Sequence, residues 1–549
     1  MTIRIYNTLT RQKEDFVPLV PGQVSMYVCG VTVYDFCHVG HARCYVAFDV
    51  VQRWLRRSFN VTYVRNFTDV DDKIIQRANE REMDPIALSA QFADEFHNDM
   101  EALNVQKADV EPRVSTHMNE IISFVESLVE KEIAYLVPSD SSVEGAGHDV
   151  YFRVNQFQNY TELSKRNLDD MRAGARVNVD DRKESPLDFA LWKSAKPDEP
   201  YWESPFGKGR PGWHIECSAM SEASFGNQFD IHGGGKDLIF PHHTNEIAQS
   251  EARHDGQKYV NYWMHNGFVT VRDESVCPVT QKPLGECQST VEVEHNGERI
   301  QCASEDAALQ FGSDPEKYFK MSKSLGNFFT IRDVTNRFTP ESLRWLLLNT
   351  HYRNPILFSP RLMLEAERRV AYVYETLKTM AGYLKSTEPT EGDTLASVFQ
   401  KEGTPFEPMK QFTEAMNDDF LTPAAIAIYS ELLKIANLLC SAKEKEMIGR
   451  KLKPGQRAAL LQELQKDVEE MGTVLGIGQK DPAAFLLEQR TLRCRQAEID
   501  EAEVETLVAK RQEARLQKDF DAADSARDEL AKIGVEVRDT PSGPEWTVL

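Results

Sequence analysis

Apolar positions near the start of the chain fall into two runs, each followed by helical spacing. Residues 23–33 (QVSMYVCGVTV) are apolar and β-branched and are entered through Pro21-Gly22, which predicts a buried strand. After HVGHAR, Tyr45 to Phe48, Val50, Val51, Trp54 and Leu55 predict an apolar helix. A second strand at 61–67 runs into TDVDDKIIQRANE and another helix. Strand then helix, twice in succession, predicts an α/β parallel sheet of Rossmann-like type, with ligands outside the carboxyl ends of its strands. Cys29, the HVGH segment and Thr68-Asp69 fall at that edge.

The pattern then divides the chain. Residues 1–83 carry the first half of the sheet, and 84–148 are helical and acidic, an insertion without visible chemistry. Residues 149–330 complete the domain, with strands near 150–152, 188–193 and 262–271. Within it, 272–317 lacks periodicity and predicts an inert hairpin insertion. A second metal site through Cys277, Cys287, Cys302 and His295 is its alternative, though no CxxC knuckle is present. Helical spacing continues through 331–390 and, after a Pro/Gly/Thr-rich linker, through a bundle at 391–489. The last segment, 490–549, predicts two charged helices and a hairpin around Pro541-Ser542-Gly543, a small α+β module.

A chain of 549 residues needs roughly three or four cores. Nine cysteines without regular spacing argue against a disulfide framework and for a reducing cytosol. The polar N-terminus lacks a secretory signal, no apolar run looks long enough to span a membrane, and nothing suggests an obligate dimer. A cytoplasmic monomer without a membrane partner is expected. The net charge of −22 counts against nucleic acid, unless a local basic track such as Arg332, Arg337, Arg344, Arg353, Arg361, Arg368 and Arg369 supplies a surface for it.

Chemistry concentrates in residues 212–246, GWHIECSAMSEASFGNQFDIHGGGKDLIFPHHTNE. Pro241 suits a first helical position, so His242 and Glu246 fall at i and i+4 on one face, while His243 lines up with Ile247. With Cys217 they make a donor set suited to Zn²⁺; an ordinary buried Cys and a surface His–Glu pair fit the same segment. In HVGH, Gly40 lets backbone approach a nucleotide, and His38 and His41 can donate to phosphate at a helix N-terminus; two solvated histidines are the plainer reading. Lys320 and Lys323, in KMSKSLGN, suit a loop that grips polyphosphate, with Lys323 following the transferring group, or else a solvated lysine loop. In the last module, Arg515, Phe520, Asp524, Asp539 and Trp546 offer a guanidinium, two aromatic faces and two acceptors. Unstacked bases are read with such groups, but a surface Arg and a core Trp would look the same.

HVGH after the first strand, KMSKS far downstream, and GWHIECSAM, FDIHGGG and FPHHTNE between them resemble the cysteinyl-tRNA synthetase family of class I aminoacyl-tRNA synthetases. The resemblance implies ATP-dependent joining of L-cysteine to tRNA(Cys), with Mg²⁺ accompanying ATP. It implies one Zn²⁺ on Cys29, Cys217, His242 and Glu246, selecting the thiol over serine. His38, Gly40, His41, His232, Asp237 and Lys323 would serve ATP, Thr68 and Trp213 would flank the amino acid, and the five C-terminal residues would read the anticodon. The chain departs from the family at Thr244, where Glu is usual, and in the length of 272–317.

Overall fold

The computed structural model describes residues 2–167, 181–272, 275–287, 289–295, 298–319, 328–390, 392–401, 404–540 and 543–548. It falls into two compact units, residues 1–331 with 347–358 and 410–426, and residues 332–346 with 359–409 and 427–549.

In the first unit, strand β1 (Gln23–Thr32) leads to helix α1 (Val39–Leu55) and strand β2 (Asn60–Thr68). Strands β3 (Ala134–Pro138), β4 (His148–Phe152), β5 (Phe189–Ser194) and β6 (Gly209–Pro211) follow, then helix α2 (Trp213–Phe225), strand β7 (Phe229–Gly235), helix α3 (Thr244–Arg253) and strand β8 (Val260–Asn266). The sheet order β8-β7-β1-β2 is parallel throughout, so Thr32, Thr68, Gly235 and Asn266 all end at one edge. Tyr27, Val64, Phe229, Val260 and Trp263 pack beneath that edge. The register of β1 against β2 shifts between Val28 and Val31, so Cys29 and Gly30 form a bulge of the kind that re-aims a side chain. Only glycine fits at position 30, because a Cβ there would lie 1.5 Å from the Asn66 carbonyl oxygen.

Three expectations are corrected. The segment between the sheet halves is not simply helical, and β4 and β5 do not join the parallel sheet: β3 to β6 form their own antiparallel sheet in sequence order. Short connections allow antiparallel neighbours, and periodicity does not reveal strand direction. The strand expected at 262–271 breaks after Asn266, and Val269–Val271 pairs with Ile356–Phe358 instead. This pairing helps bring 347–358 into the first unit, where Arg43 also donates to the carbonyls of Leu347, Thr350 and His351. Finally, Thr422–Cys440 is long and apolar enough to cross a membrane by length and composition. Its Tyr429, Leu432, Leu433, Ala436 and Leu439 are buried in the protein.

The second unit is helical except for short hairpins. Glu501–Leu516 and Phe520–Lys532 pack against the expected hairpin, Val535–Thr540 paired with Gly543–Val548.

Candidate active site

The bulge in β1, helix α2, the turn ahead of α3 and the first turn of α3 bring four donors together. Cys29 Sγ lies 3.8 Å from Cys217 Sγ and 3.7 Å from Glu246 Oε1, and His242 Nε2 lies 3.1 Å from Glu246 Oε1. The four donor atoms are buried and within 4.8 Å of one another. With Zn–S about 2.3 Å and Zn–N and Zn–O about 2.0–2.1 Å, a tetrahedral ion would separate S and S by about 3.8 Å, S and O by about 3.6 Å, and N and O by about 3.4 Å. The donor set therefore fits zinc in both chemistry and spacing.

Burial, then the neighbouring sulfur and Glu246, pushes the Cys29 thiol well up. Cys217 gains a hydrogen bond from Cys29 that lowers its pKa, but burial and Glu246 carry it above the ordinary value. A divalent cation reverses that logic, because it stabilises the thiolate directly. Burial also holds His242 neutral, with a pKa lowered to about 3, so its ring nitrogen can serve as a ligand. Its other nitrogen, Nδ1, lies 3.0 Å from His214 Nδ1, and Trp213, 39% exposed, stacks on its ring at 4.3 Å.

The helix does not begin at Pro241. It starts at Thr244, after a wide turn Ile239–His243 in which Phe240 is extended. That turn swings both imidazoles inward. His243, placed on another face by helical spacing, has its Nε2 3.2 Å from Cys29 Sγ, and its Nδ1 meets His265 Nε2 at 2.8 Å. Cys29, His232, His243 and Glu246 thus form a second, overlapping donor set. His232, expected beside the nucleotide, is fully buried instead. It stacks on Trp263, and its Nε2 holds Glu246 Oε2 at 2.8 Å. The reason is that Phe229–Gly235 is an interior strand of the sheet, so His232 points into the packed layer below. The crowding of His214, His232, His242, His243 and His265 into one stretch of sequence was the available signal for this cluster.

HVGH lies at the same edge. His38 is the N-cap of α1, its Nδ1 accepting the Gly40 N–H at 3.0 Å, while His41 Nδ1 accepts the His38 N–H at 3.2 Å. The rings stack at 3.7 Å. With Nδ1 accepting in each, the neutral rings carry their proton on Nε2, the tautomer that donates away from the helix end. Burial, then His38 and Lys73, keeps His41 well below the ordinary histidine pKa. Val39 N–H donates to the Phe329 carbonyl at 3.1 Å, and His38 bridges to Thr330. Lys320 and Lys323 lie outside the described residues, but the chain just after them is therefore tied to HVGH.

Thr68 is buried, its hydroxyl donating to Glu216 Oε2 at 3.1 Å. Burial, and next Asp71, raises Glu216 well above the carboxylate range. Asp237 is exposed just past the end of β7. Thr244, the departure from the family, turns its hydroxyl to the Ile239 carbonyl at 2.7 Å and leaves the donors intact.

In the C-terminal module Asp539 is gripped by Arg511 at 2.8 and 2.9 Å and also by Arg515. Phe520 is 65% exposed and Asp524 is exposed. Trp546 does not offer the aromatic face expected of it. It is 4% exposed in the core with Val504, Val508, Leu530 and Val535, its Nε1 donating to Glu505 and Arg490 covering its ring at 4.3 Å. A two-helix, one-hairpin module has little else large enough to fill its centre.

A parallel sheet with HVGH at a strand end and the flank of the KMSKS segment hydrogen-bonded beside it is the catalytic architecture of a class I aminoacyl-tRNA synthetase. The family model described as "tRNA synthetases class I (C) catalytic domain" matches residues 15–291 and 316–368. A DALR domain matches 411–479, and a "Cysteinyl-tRNA ligase anticodon binding domain" matches 501–546. A cysteine–tRNA ligase of Nitratidesulfovibrio vulgaris is 45% identical over 549 residues, and one of Anaeromyxobacter dehalogenans is 46% identical over 557, each match covering 100% of both chains. The chain belongs to the cysteine–tRNA ligase family. Among solved structures, a Mycobacterium tuberculosis methionyl-tRNA synthetase in complex with methionyl-adenylate shares the fold, with a TM-score of 0.54 at 14% identity over 84% of this chain and 93% of that one. The catalytic match omits 292–315, about half of the 272–317 insertion.

Proposed function

We propose that this enzyme activates L-cysteine with Mg²⁺-ATP and passes the cysteinyl group to the terminal 2′-hydroxyl of tRNA(Cys), with Cys29, Cys217, His242 and Glu246 holding a zinc ion that selects the thiol. The observation that carries this reading is the convergence of those four buried donors, all within 4.8 Å of one another, at the sheet edge that also holds HVGH. When bound, zinc would favour a thiolate over an alcohol, which is a harder and far less acidic ligand.

The chain's own residues do the rest. Trp213, stacked on His242 and partly exposed, walls the amino-acid side of the cluster, and Thr68 is held in place by Glu216. His38 and His41, donating from Nε2, orient the ATP phosphates as charge builds on them, with Gly40 allowing close approach and Asp237 on the nucleotide side. Lys320 and Lys323 stabilise the departing pyrophosphate. Arg515, Phe520, Asp524 and Asp539 present the anticodon-reading surface, and Trp546 anchors it from below. His232 acts through Glu246 as a positioning residue. The protein works as a cytoplasmic monomer.

Cysteine-dependent ATP–pyrophosphate exchange, followed by charging of tRNA(Cys), tests the reading. Exchange with cysteine but not serine is expected. A ligase that joined cysteine to a sugar amine would show the exchange without charging tRNA, and that result would overturn the assignment.

A further inference from the structure

Glu246 turns its two carboxylate oxygens to different partners. Oε1 faces the other donors, 3.1 Å from His242 Nε2 and 3.7 Å from Cys29 Sγ. Oε2 is taken by groups on and beside the sheet: His232 Nε2 at 2.8 Å and the Tyr259 hydroxyl at 3.3 Å. All of these residues are buried, Glu246 and His232 completely. His232 Nδ1 has no hydrogen-bond partner among the described residues, so the neutral ring carries its proton on Nε2 and donates it to the carboxylate. Tyr259, just ahead of β8, is the second donor.

Tyr259 is held at both ends. Its carbonyl accepts the Phe229 N–H at 3.2 Å and its own N–H donates to Glu251 Oε1 at 3.3 Å, so its backbone joins β7 to α3. Its ring meets Phe229 edge-on at 5.1 Å, and its hydroxyl lies 2.6 Å from Ser221 Oγ. Ser221 stands at i+4 from Cys217 on α2, so the helix face that supplies a sulfur also braces the phenol. Two hydroxyl protons then serve three acceptors, Glu246 Oε2, the neighbouring hydroxyl and the Ser218 carbonyl, which lies 3.1 Å from Ser221 Oγ. At 3.3 Å the carboxylate contact is long for a hydroxyl donor, but a hydrogen bond to an ionised acceptor is roughly twice as strong as one between neutral groups. A metal-ligating Glu246 is ionised and can only accept, so it takes the phenolic proton and Ser221 donates elsewhere.

Building on the zinc reading above, we propose that Tyr259 is a positioning residue for the metal, which with His232 holds Glu246 as a ligand through Oε1 alone. A carboxylate free to rotate could offer either oxygen or both. Here Oε2 is occupied by two buried donors, so Oε1 is the oxygen left to meet Cys29, Cys217 and His242. Hydrogen bonds to the far side of a metal ligand fix its orientation before the ion arrives, which strengthens binding without adding a donor.

The test compares the full-length wild type, Tyr259→Phe and Ser221→Ala, each zinc-loaded and challenged with a chromophoric chelator. Tyr259→Phe keeps the ring against Phe229 and removes the hydroxyl alone, and its zinc affinity should fall by about tenfold or more, the usual cost of losing a partner of a metal ligand. With cobalt(II) at saturation in place of zinc, its visible ligand-field bands should also shift, which a defect elsewhere in the fold would not produce. Ser221→Ala leaves the phenol to donate to Glu246 and should match the wild type in both measurements. Unchanged affinity or an unshifted spectrum in Tyr259→Phe, or an equal loss in Ser221→Ala, would overturn the positioning role while a zinc-binding wild type leaves the proposed function standing. A wild type without stoichiometric zinc would overturn both. A crystal structure of the zinc-loaded wild type needs no variant to fold: Oε1 on the metal and Oε2 on Tyr259 are expected, and Oε2 or both oxygens on the metal would refute the role.

Discussion

Replacing Cys217 with serine probes how the enzyme tells cysteine from serine. The sulfur it removes is one end of the 3.8 Å edge shared with Cys29, and the replacement hydroxyl sits in a fully buried setting where nothing helps it ionise. One of the soft donors is lost, and the site should no longer hold zinc at stoichiometric level. A pocket working by shape alone separates near-isosteres by only ~1–3 kcal/mol. Discrimination of order 10⁴ needs ~5.5 kcal/mol, so the metal-free variant should lose ~2.5–4.5 kcal/mol, or about two to three orders of magnitude in the cysteine-to-serine ratio. Metal content is measured by plasma emission, and kcat/KM for each amino acid by ATP–pyrophosphate exchange. HVGH is built separately, on the N-cap of α1, so the KM for ATP should change little. A variant shown to be metal-free that keeps wild-type cysteine affinity and still rejects serine would refute the reasoning.

Other outcomes follow from the same geometry. Lys323→Ala should lower kcat of the exchange with little change in either KM, the pattern of a contact made mainly in the transition state; a pure KM effect would remove Lys323 from that role. Trp546→Ala should destabilise the C-terminal module by ~3–5 kcal/mol, seen in denaturant unfolding, because it empties the centre of that core. Phe520→Ala should leave stability near wild type while raising the KM for tRNA, since its ring is exposed; the reverse pattern would mean that Trp546 is the contact residue after all. Burial, opposed in part by the Tyr259 N–H, raises Glu251 from 4.5 to about 7. In that window the folded protein binds more protons than the unfolded chain, so stability present below pH 4.5 is lost as pH rises toward about 7. Glu251→Gln should flatten this part of the Tm-against-pH curve, and an unchanged slope would assign it to other groups.

Much of this protein could be read from the order of its residues. The strand–helix alternation around residues 23–67 announced a parallel sheet because its strands, covered on both faces, leave continuous apolar runs. HVGH, KMSKS and the Cys/His/Glu pattern carried the class and the donor types, since those side chains keep their chemistry wherever they are placed. The i, i+4 spacing of His242 and Glu246 even survived a misplaced helix start, because both lie within one turn of where α3 begins.

Tertiary structure alone decided the remainder. Whether His243 faces Cys29 depends on a wide turn ahead of α3, and whether His232 meets ATP or Glu246 depends on how deep β7 lies in the sheet. The direction of β4 and β5 was set by the neighbours they found, and Trp546 became a core residue because nothing else in its small module was large enough. In each case the side chain's type was legible but its surroundings were not. Local spacing records which face a residue occupies on its own element, whereas burial and partners depend on what other parts of the chain pack against that face.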